Sequence, residues 1–249
     1  MTQAERFTIA GALGAAALFL ALVPPIAQSE SYHRFADCRT ILGIPNFWNV
    51  VSNLAFAVVG YLGLRDLRGS VNRVMFTGVL LTCLGSGYYH LLPNDARLLW
   101  DRLPMTLVFM SFLTSVLFED QRSRFANALL ITLLTMGASS VVWWSATGDL
   151  RFYVLVQFVP MLILLTKHRS AGGRGTLLAV LGLYAAAKIA ELFDQRVYSL
   201  LPISGHTCKH VMAALAAYSI YRWEMRRETE LRGQVYFSAD GIVTARASY

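Results

Sequence analysis

Ser86, His90, Asp101, His206 and His210 are the residues of this chain whose types and spacing could do chemistry together. Ser86 and His90 lie in Gly85-Ser86-Gly87-Tyr88-Tyr89-His90-Leu91-Leu92-Pro93, at the end of an apolar run, and Asp101 follows near the start of the next. Positions i and i+4 of a helix share a face, so Ser86 and His90 point into one space. The stretch Ser204-Gly205-His206-Thr207-Cys208-Lys209-His210 repeats that spacing with two imidazoles.

Three neutral imidazoles, with a fourth position kept for water, are a known ligand set for catalytic zinc. One histidine from one helix and an i, i+4 pair from another can supply a tetrahedral face. Zinc brings the pKa of bound water to about 7 and polarises a carbonyl oxygen. Asp101 is then the base that takes the water proton and returns it to the leaving group. Ser86 either hydrogen-bonds a developing oxyanion or holds the attacking water, and spacing leaves both roles open. Two other readings compete: a transmembrane histidine can be a plain interhelical donor, and opposed histidines can ligate haem iron. The haem reading needs only two histidines and gives Asp101 and Ser86 nothing to do.

The elements that must position these residues are membrane helices. The 249 residues are 55% hydrophobic and only 15% charged, with a mean hydropathy of +0.48, whereas soluble domains carry roughly 25% charged residues. The net charge of +7 sits in short loops between apolar runs, the pattern of membrane topology. No nucleic-acid-binding motif is present. Cys38, Cys83 and Cys208 have no paired spacing, which excludes a zinc knuckle and a disulfide framework.

Eight spans are expected, over 7–26, 47–64, 74–92, 103–118, 126–146, 152–166, 176–193 and 206–221. The first reads as a retained anchor within 1–27 rather than a cleaved signal peptide, because its flank is barely basic and its end offers a poor cleavage site. A polar outer loop follows over 28–46, then a seven-helix catalytic domain over 47–222 and a solvated tail over 223–249. With the N-terminus inside, most of the basic residues, including Arg65, Arg68, Arg73, Arg124 and Arg226, fall in cytoplasmic loops. Both termini are therefore expected in the cytoplasm. That topology, which rests on the basic residues alone, brings Ser86, His90, Asp101, His206 and His210 to one depth at the outer end of the bundle. Ionisable groups at membrane depth are costly and face a bundle interior or a cavity.

Other polar residues have weaker assignments. Asn49, Ser52 and Asn53 share a face of the second span and read first as interhelical hydrogen-bonding groups. Lys188 and Glu191 form an i, i+3 pair, and Glu191 or Asp194 is a candidate to orient an imidazole. Lys209 reads as reaching to the outer interface. Pro160 is expected to kink the sixth span. His33 and His168 read as solvated loop residues.

Gly85-Ser86-x-x-x-His90, Asp101-x-Leu103-Pro104-Met105, His206-x-x-x-His210 and Phe47-Trp48-Asn49-x-x-Ser52-Asn53 together resemble the alkaline ceramidase family. That family belongs to a superfamily of membrane hydrolases that includes the adiponectin and progestin receptors. The resemblance covers roughly 37–221, and the first span looks like an addition to a seven-helix core. It implies an all-α polytopic bundle and a zinc-dependent amidase that cuts the N-acyl bond of ceramide, or of a related acyl-amide lipid, to a sphingoid base and a fatty acid. It also implies His90, His206 and His210 as zinc ligands, with Ser86 and Asp101 as the polar catalytic pair. The family's acidic calcium-binding cluster is reduced here to Ala36-Asp37-Cys38-Arg39, with Pro45-Asn46 before Phe47. Since calcium takes six to eight oxygen ligands, calcium regulation is not expected. The short loops suggest a bacterial inner-membrane protein with its site toward the periplasm. The alternative reading is a receptor-like membrane protein with a structural or ligand-sensing zinc site.

Overall fold

The computed structural model describes residues 3–118, 121, 123–165 and 173–239. Among them the chain is an all-α bundle, with two isolated bridges (Ala27 with Asp149, Ile41 with Ile44) and no strand. The helices are α1 (Gln3–Leu22), α2 (Phe47–Val51), α3 (Leu54–Asp66), α4 (Ser70–Leu91), α5 (Asp95–Leu117), α6 (Arg124–Thr147), α7 (Arg151–Leu165), α8 (Gly173–Leu192), α9 (Asp194–Leu200) and α10 (Gly205–Ala239). A 3-10 turn over Glu30–His33 lies in the loop between α1 and α2.

Four stretches are long and apolar enough to cross a bilayer: Phe47–Asp66, Ser70–Leu91, Arg124–Thr147 and Arg174–Leu192. Ala10–Leu22 and Arg151–Leu164 are apolar but shorter. The remaining two long helices, α5 and α10, carry the polar residues of the candidate site, which lower their hydropathy. Buried inside α5 are Asp101, Arg102, Thr106, Ser111, Thr114 and Ser115.

Several boundaries differ from the sequence expectation for local reasons. The second span is broken at Ser52-Asn53 into α2 and α3. Helix α5 begins at Asp95, well before 103, because Asn94 caps it by accepting from the Arg97 amide at 2.9 Å. Asp101 thus stands inside a helix instead of opening one. Helix α10 has 35 residues, about 52 Å at 1.5 Å per residue, and so outruns a hydrocarbon core of about 30 Å. The expected tail is helical through Ala239, and 240–249 lie outside the described residues, as do Arg122, Lys167, His168 and Arg169.

Helix α4 packs between α3 and α5, and α5 also meets α6 and α7. Helix α10 packs on α8 and on α3, and α1 lies against α7. Arg151 fixes that last contact by donating to the Leu20 and Val23 carbonyls at the open end of α1 while pairing with Asp149. Most of the apolar core gathers around Met75, Phe76, Phe109, Phe112, Ala217 and Trp223. A smaller aromatic cluster of Tyr89, Trp144 and Tyr153 lies beneath the outer loop.

The approach of α4 to α5 depends on two residue types. Pro104 has no N–H for the Trp100 carbonyl one turn earlier, and a β-carbon placed on Gly85 would overlap that carbonyl oxygen. Glycine is thus what lets the two backbones meet beside Ser86. Gly85→Ala is expected to overpack this contact at a cost of about 1–3 kcal/mol. Gly87 has nothing within 4 Å of an added β-carbon, so Gly87→Ala is expected to be neutral or to stabilise by up to about 1 kcal/mol. Thermal unfolding of the two variants in detergent checks the opposite signs.

Candidate metal centre

Helix α4 delivers His90 in its last turn, and α10 delivers His206 and His210 in its first two turns. The start of α10 is held by two caps. Ser204 Oγ accepts from the Thr207 amide at 3.1 Å, and Asp194 Oδ1 accepts from the His206 amide at 2.7 Å, which satisfies two of the donors a helix start leaves open. A β-carbon on Gly205 would overlap the Ala190 carbonyl of α8, so glycine seats this end of α10 directly on its neighbour. Asn49, fully buried on α2, accepts through Oδ1 from Thr207 at 2.8 Å and from Ser204 at 3.3 Å.

The three rings converge. His90 Nε2 lies 3.2 Å from His210 Nε2 and 3.4 Å from His206 Nε2, and all three pairs of ring centroids are 4.9 Å apart. Four ligands placed tetrahedrally about a zinc ion at 2.0–2.1 Å have nitrogens about 3.3–3.4 Å apart. The donor set therefore fits a zinc ion held by three Nε2 atoms, and all three residues are buried. A haem needs imidazoles on opposite faces of a macrocycle, and nitrogens this close leave no room for one between them.

His210 Nδ1 lies 2.8 Å from Ser52 Oγ, and Ser52 donates to the Asn49 carbonyl at 3.3 Å. As a ligand through Nε2, His210 would carry its proton on Nδ1 and donate it to Ser52. The side chain hydrogen-bonded to the His210 ring is thus Ser52, not Glu191 or Asp194. Asp194 holds two backbone amides, those of His206 and of Ala36 at 2.8 Å. Glu191 accepts from Lys188, Lys209 and Tyr32. Phe35 packs its ring against His90 and His206, with centroids 4.7 and 4.6 Å away. His90 Nδ1 is buried without a hydrogen-bond partner.

The loop over 28–46 forms a roof over this centre. Beside Phe35, Asp37 is buried and takes both Nε and Nη2 of Arg39, at 2.8 and 2.6 Å. This guanidinium holds the Asp37 carboxyl below the usual carboxylate range. The pair's stabilisation is complete above about pH 3.9, the ordinary value, and is lost as pH falls through the lower folded value. His33 is not a free loop histidine: it bridges the Tyr89 hydroxyl at 2.9 Å and Asp95 at 3.1 Å. Arg102 reaches Gln28 at 2.5 Å with its guanidinium 4.0 Å from the Trp144 ring.

A cavity opens beneath the roof. Its polar end is formed by Ser86, Asp101, Lys209 and His210, and the rest of its wall is almost wholly apolar, from Val79 and Phe109 to Ala217 and Ile220. All five residues singled out in the sequence therefore meet in one region, the three histidines as a triad and Ser86, Asp101 and His210 on one cavity wall. Lys209 corrects its expectation. It turns inward and pairs with Glu191 at 2.6 Å instead of reaching to the interface. Phe35 and the roof had no local signal, since their contacts span the whole length of the chain.

The sequence model of the family described as Ceramidase matches residues 40–175. The match includes Ser52, Ser86, His90 and Asp101 and ends before His206 and His210. No curated protein matches the chain.

If Ser52 orients His210, Ser52→Ala weakens zinc binding by about 10–100-fold while the helix content is kept. Competition with a fluorescent chelator on the purified protein measures it, and unchanged affinity would remove Ser52 from this role.

Proposed function

The chain belongs to the alkaline ceramidase family, membrane-embedded hydrolases that act on amide bonds of lipids, and we propose that it is a zinc-dependent amidase cutting the N-acyl bond of ceramide or a related acyl-amide lipid. The observation that carries the zinc assignment is the 3.2 and 3.4 Å spacing of the histidine nitrogens. His90, His206 and His210 would hold the ion as neutral ligands. When bound, zinc supplies a Lewis acid at the scissile carbonyl and a water of lowered pKa.

The chain's own residues do the rest. The acyl chain lies along the apolar wall toward Ile220, which sets its carbonyl beside Ser86 and Asp101 at the polar end. Asp101 takes a proton from the water that adds to the carbonyl carbon. As the carbon–nitrogen bond breaks, it delivers that proton to the departing amine nitrogen. The Ser86 hydroxyl donates to the oxygen on which negative charge develops. The roof built by Tyr32, Phe35 and Asp37 covers the outer end, and a water-poor site strengthens these interactions. Substrate enters from the bilayer between α7 and α8. Both line the cavity through Met161, Val180 and Tyr184, while α8 packs chiefly on α10. Pro160 beside Met161 leaves the wall of α7 without one backbone donor. The distribution of basic residues supports cytoplasmic termini and a site at the opposite face of the membrane, and the short loops support a bacterial inner membrane with that face toward the periplasm.

Two substitutions separate the roles. Asp101→Asn is expected to retain zinc and to lose activity on a fluorescent N-acyl sphingoid lipid by about 10²–10⁴-fold. His210→Ala is expected to lose both zinc and activity. A chelator should abolish wild-type turnover and added zinc should restore it. Turnover that survives in His210→Ala or in chelated protein would overturn the reading.

A further inference from the structure

Lys209 is a half-buried cation to which the amidase chemistry assigns no task. Its ammonium donates to Glu191 Oε1 at 2.6 Å, and its side chain is 18% exposed. The same carboxylate takes Lys188 on Oε2 at 2.9 Å and also accepts from the Tyr32 hydroxyl at 3.2 Å. One carboxylate is thus divided between two ammonium groups. An ammonium has three donors, and the hydrogen bond to Glu191 occupies one.

Lys209 belongs to the cavity wall, next to His210 and in the same polar end as Asp101 and Ser86, and its ion pair is with Glu191. Cations at membrane depth are rare because they are costly, and they mark substrate or ion sites when they line a cavity. A neutral amide with neutral hydroxyls on its amine half gives such a cation no partner. A long apolar wall that ends in an ammonium fits a long-chain carboxylate.

We propose that Lys209, backed by Glu191 and Lys188, is a carboxylate-binding subsite at the polar end of the acyl cavity. The proposal rests on reading that cavity as the acyl chamber. The carboxylate has two sources: the amine half of the substrate, as in an N-acyl amino acid, or the fatty acid that hydrolysis releases.

The first measurement needs no turnover. Binding of oleate and of the neutral oleyl alcohol is measured by titration calorimetry on wild-type protein, Lys209→Met and Lys209→Arg at one metal content. Oleate is expected to bind at least tenfold more weakly to Lys209→Met, to recover in Lys209→Arg, and oleyl alcohol to bind all three alike. The second compares hydrolysis of N-oleoyl glycine with that of N-oleoyl ethanolamine. A preference for the glycine lipid that Lys209→Met loses assigns the carboxylate to the substrate. No such preference, with weaker inhibition by oleate in Lys209→Met, assigns it to the released acid. Oleate affinity unchanged in a folded Lys209→Met overturns the proposal. Should Lys209→Met not fold, Glu191→Gln carries the test: removing the competing carboxylate should tighten oleate, and unchanged or weaker binding overturns it. Failure to hydrolyse any amide would count against the amidase reading and leave the binding result standing on its own.

Discussion

Three imidazole nitrogens borne by two helices far apart in sequence must reach one point, and this end of the bundle is built around that constraint. Each ring alone has several ways to be satisfied in a membrane protein. Three neutral imidazoles, with the Nε2 of His90 within hydrogen-bonding reach of the other two, cannot all be satisfied by donating among themselves, because a neutral imidazole offers one donor. A shared Lewis acid would resolve the conflict. It would also fix each tautomer, and the Nδ1 partner of His210 would then belong to the centre.

Holding the rings there takes close backbone contact and satisfied polar groups. Gly85 admits the Trp100 carbonyl that Pro104 leaves without a donor, and Gly205 seats the start of α10 on α8. Asn49 joins α2 to the first turn of α10, while Asp194 joins that turn to the outer loop. These contacts trade water for protein hydrogen bonds in a region where an unmade one is expensive. At the other end of the cavity a second buried group does similar work: Glu224 on α10 accepts from Ser115 on α5 and from Gln121, and pairs with Arg227. Helix α10 is therefore pinned at both ends of the chamber it lines.

What the sequence made legible was local or compositional. The i, i+4 spacings of Ser86 with His90 and of His206 with His210 carry their own geometry, and the recurrence of basic residues in alternate loops placed them at one depth. Asn49 and Ser52 stood out as polar residues on one face, but their partners lie on α10 and could not be named. Lys209 was misread because a lysine near a helix end is ordinarily drawn to the interface, and only the fold brings Glu191 within reach. The early start of α5 was hidden because its first turns are charged, so apolar periodicity marked the helix from Leu103. The roof was illegible for a different reason. Phe35, Asp37 and His33 sit in a polar loop without period, and what binds them is contact with α2, α4, α5 and α10.

X-ray absorption at the zinc edge of the purified protein tests the central claim most directly. The account predicts about one zinc per chain, with three histidine nitrogens near 2.0–2.1 Å, and loss of this signature when His90 is changed to alanine. A sulfur shell at about 2.3 Å, or zinc bound equally well without His90, would contradict it.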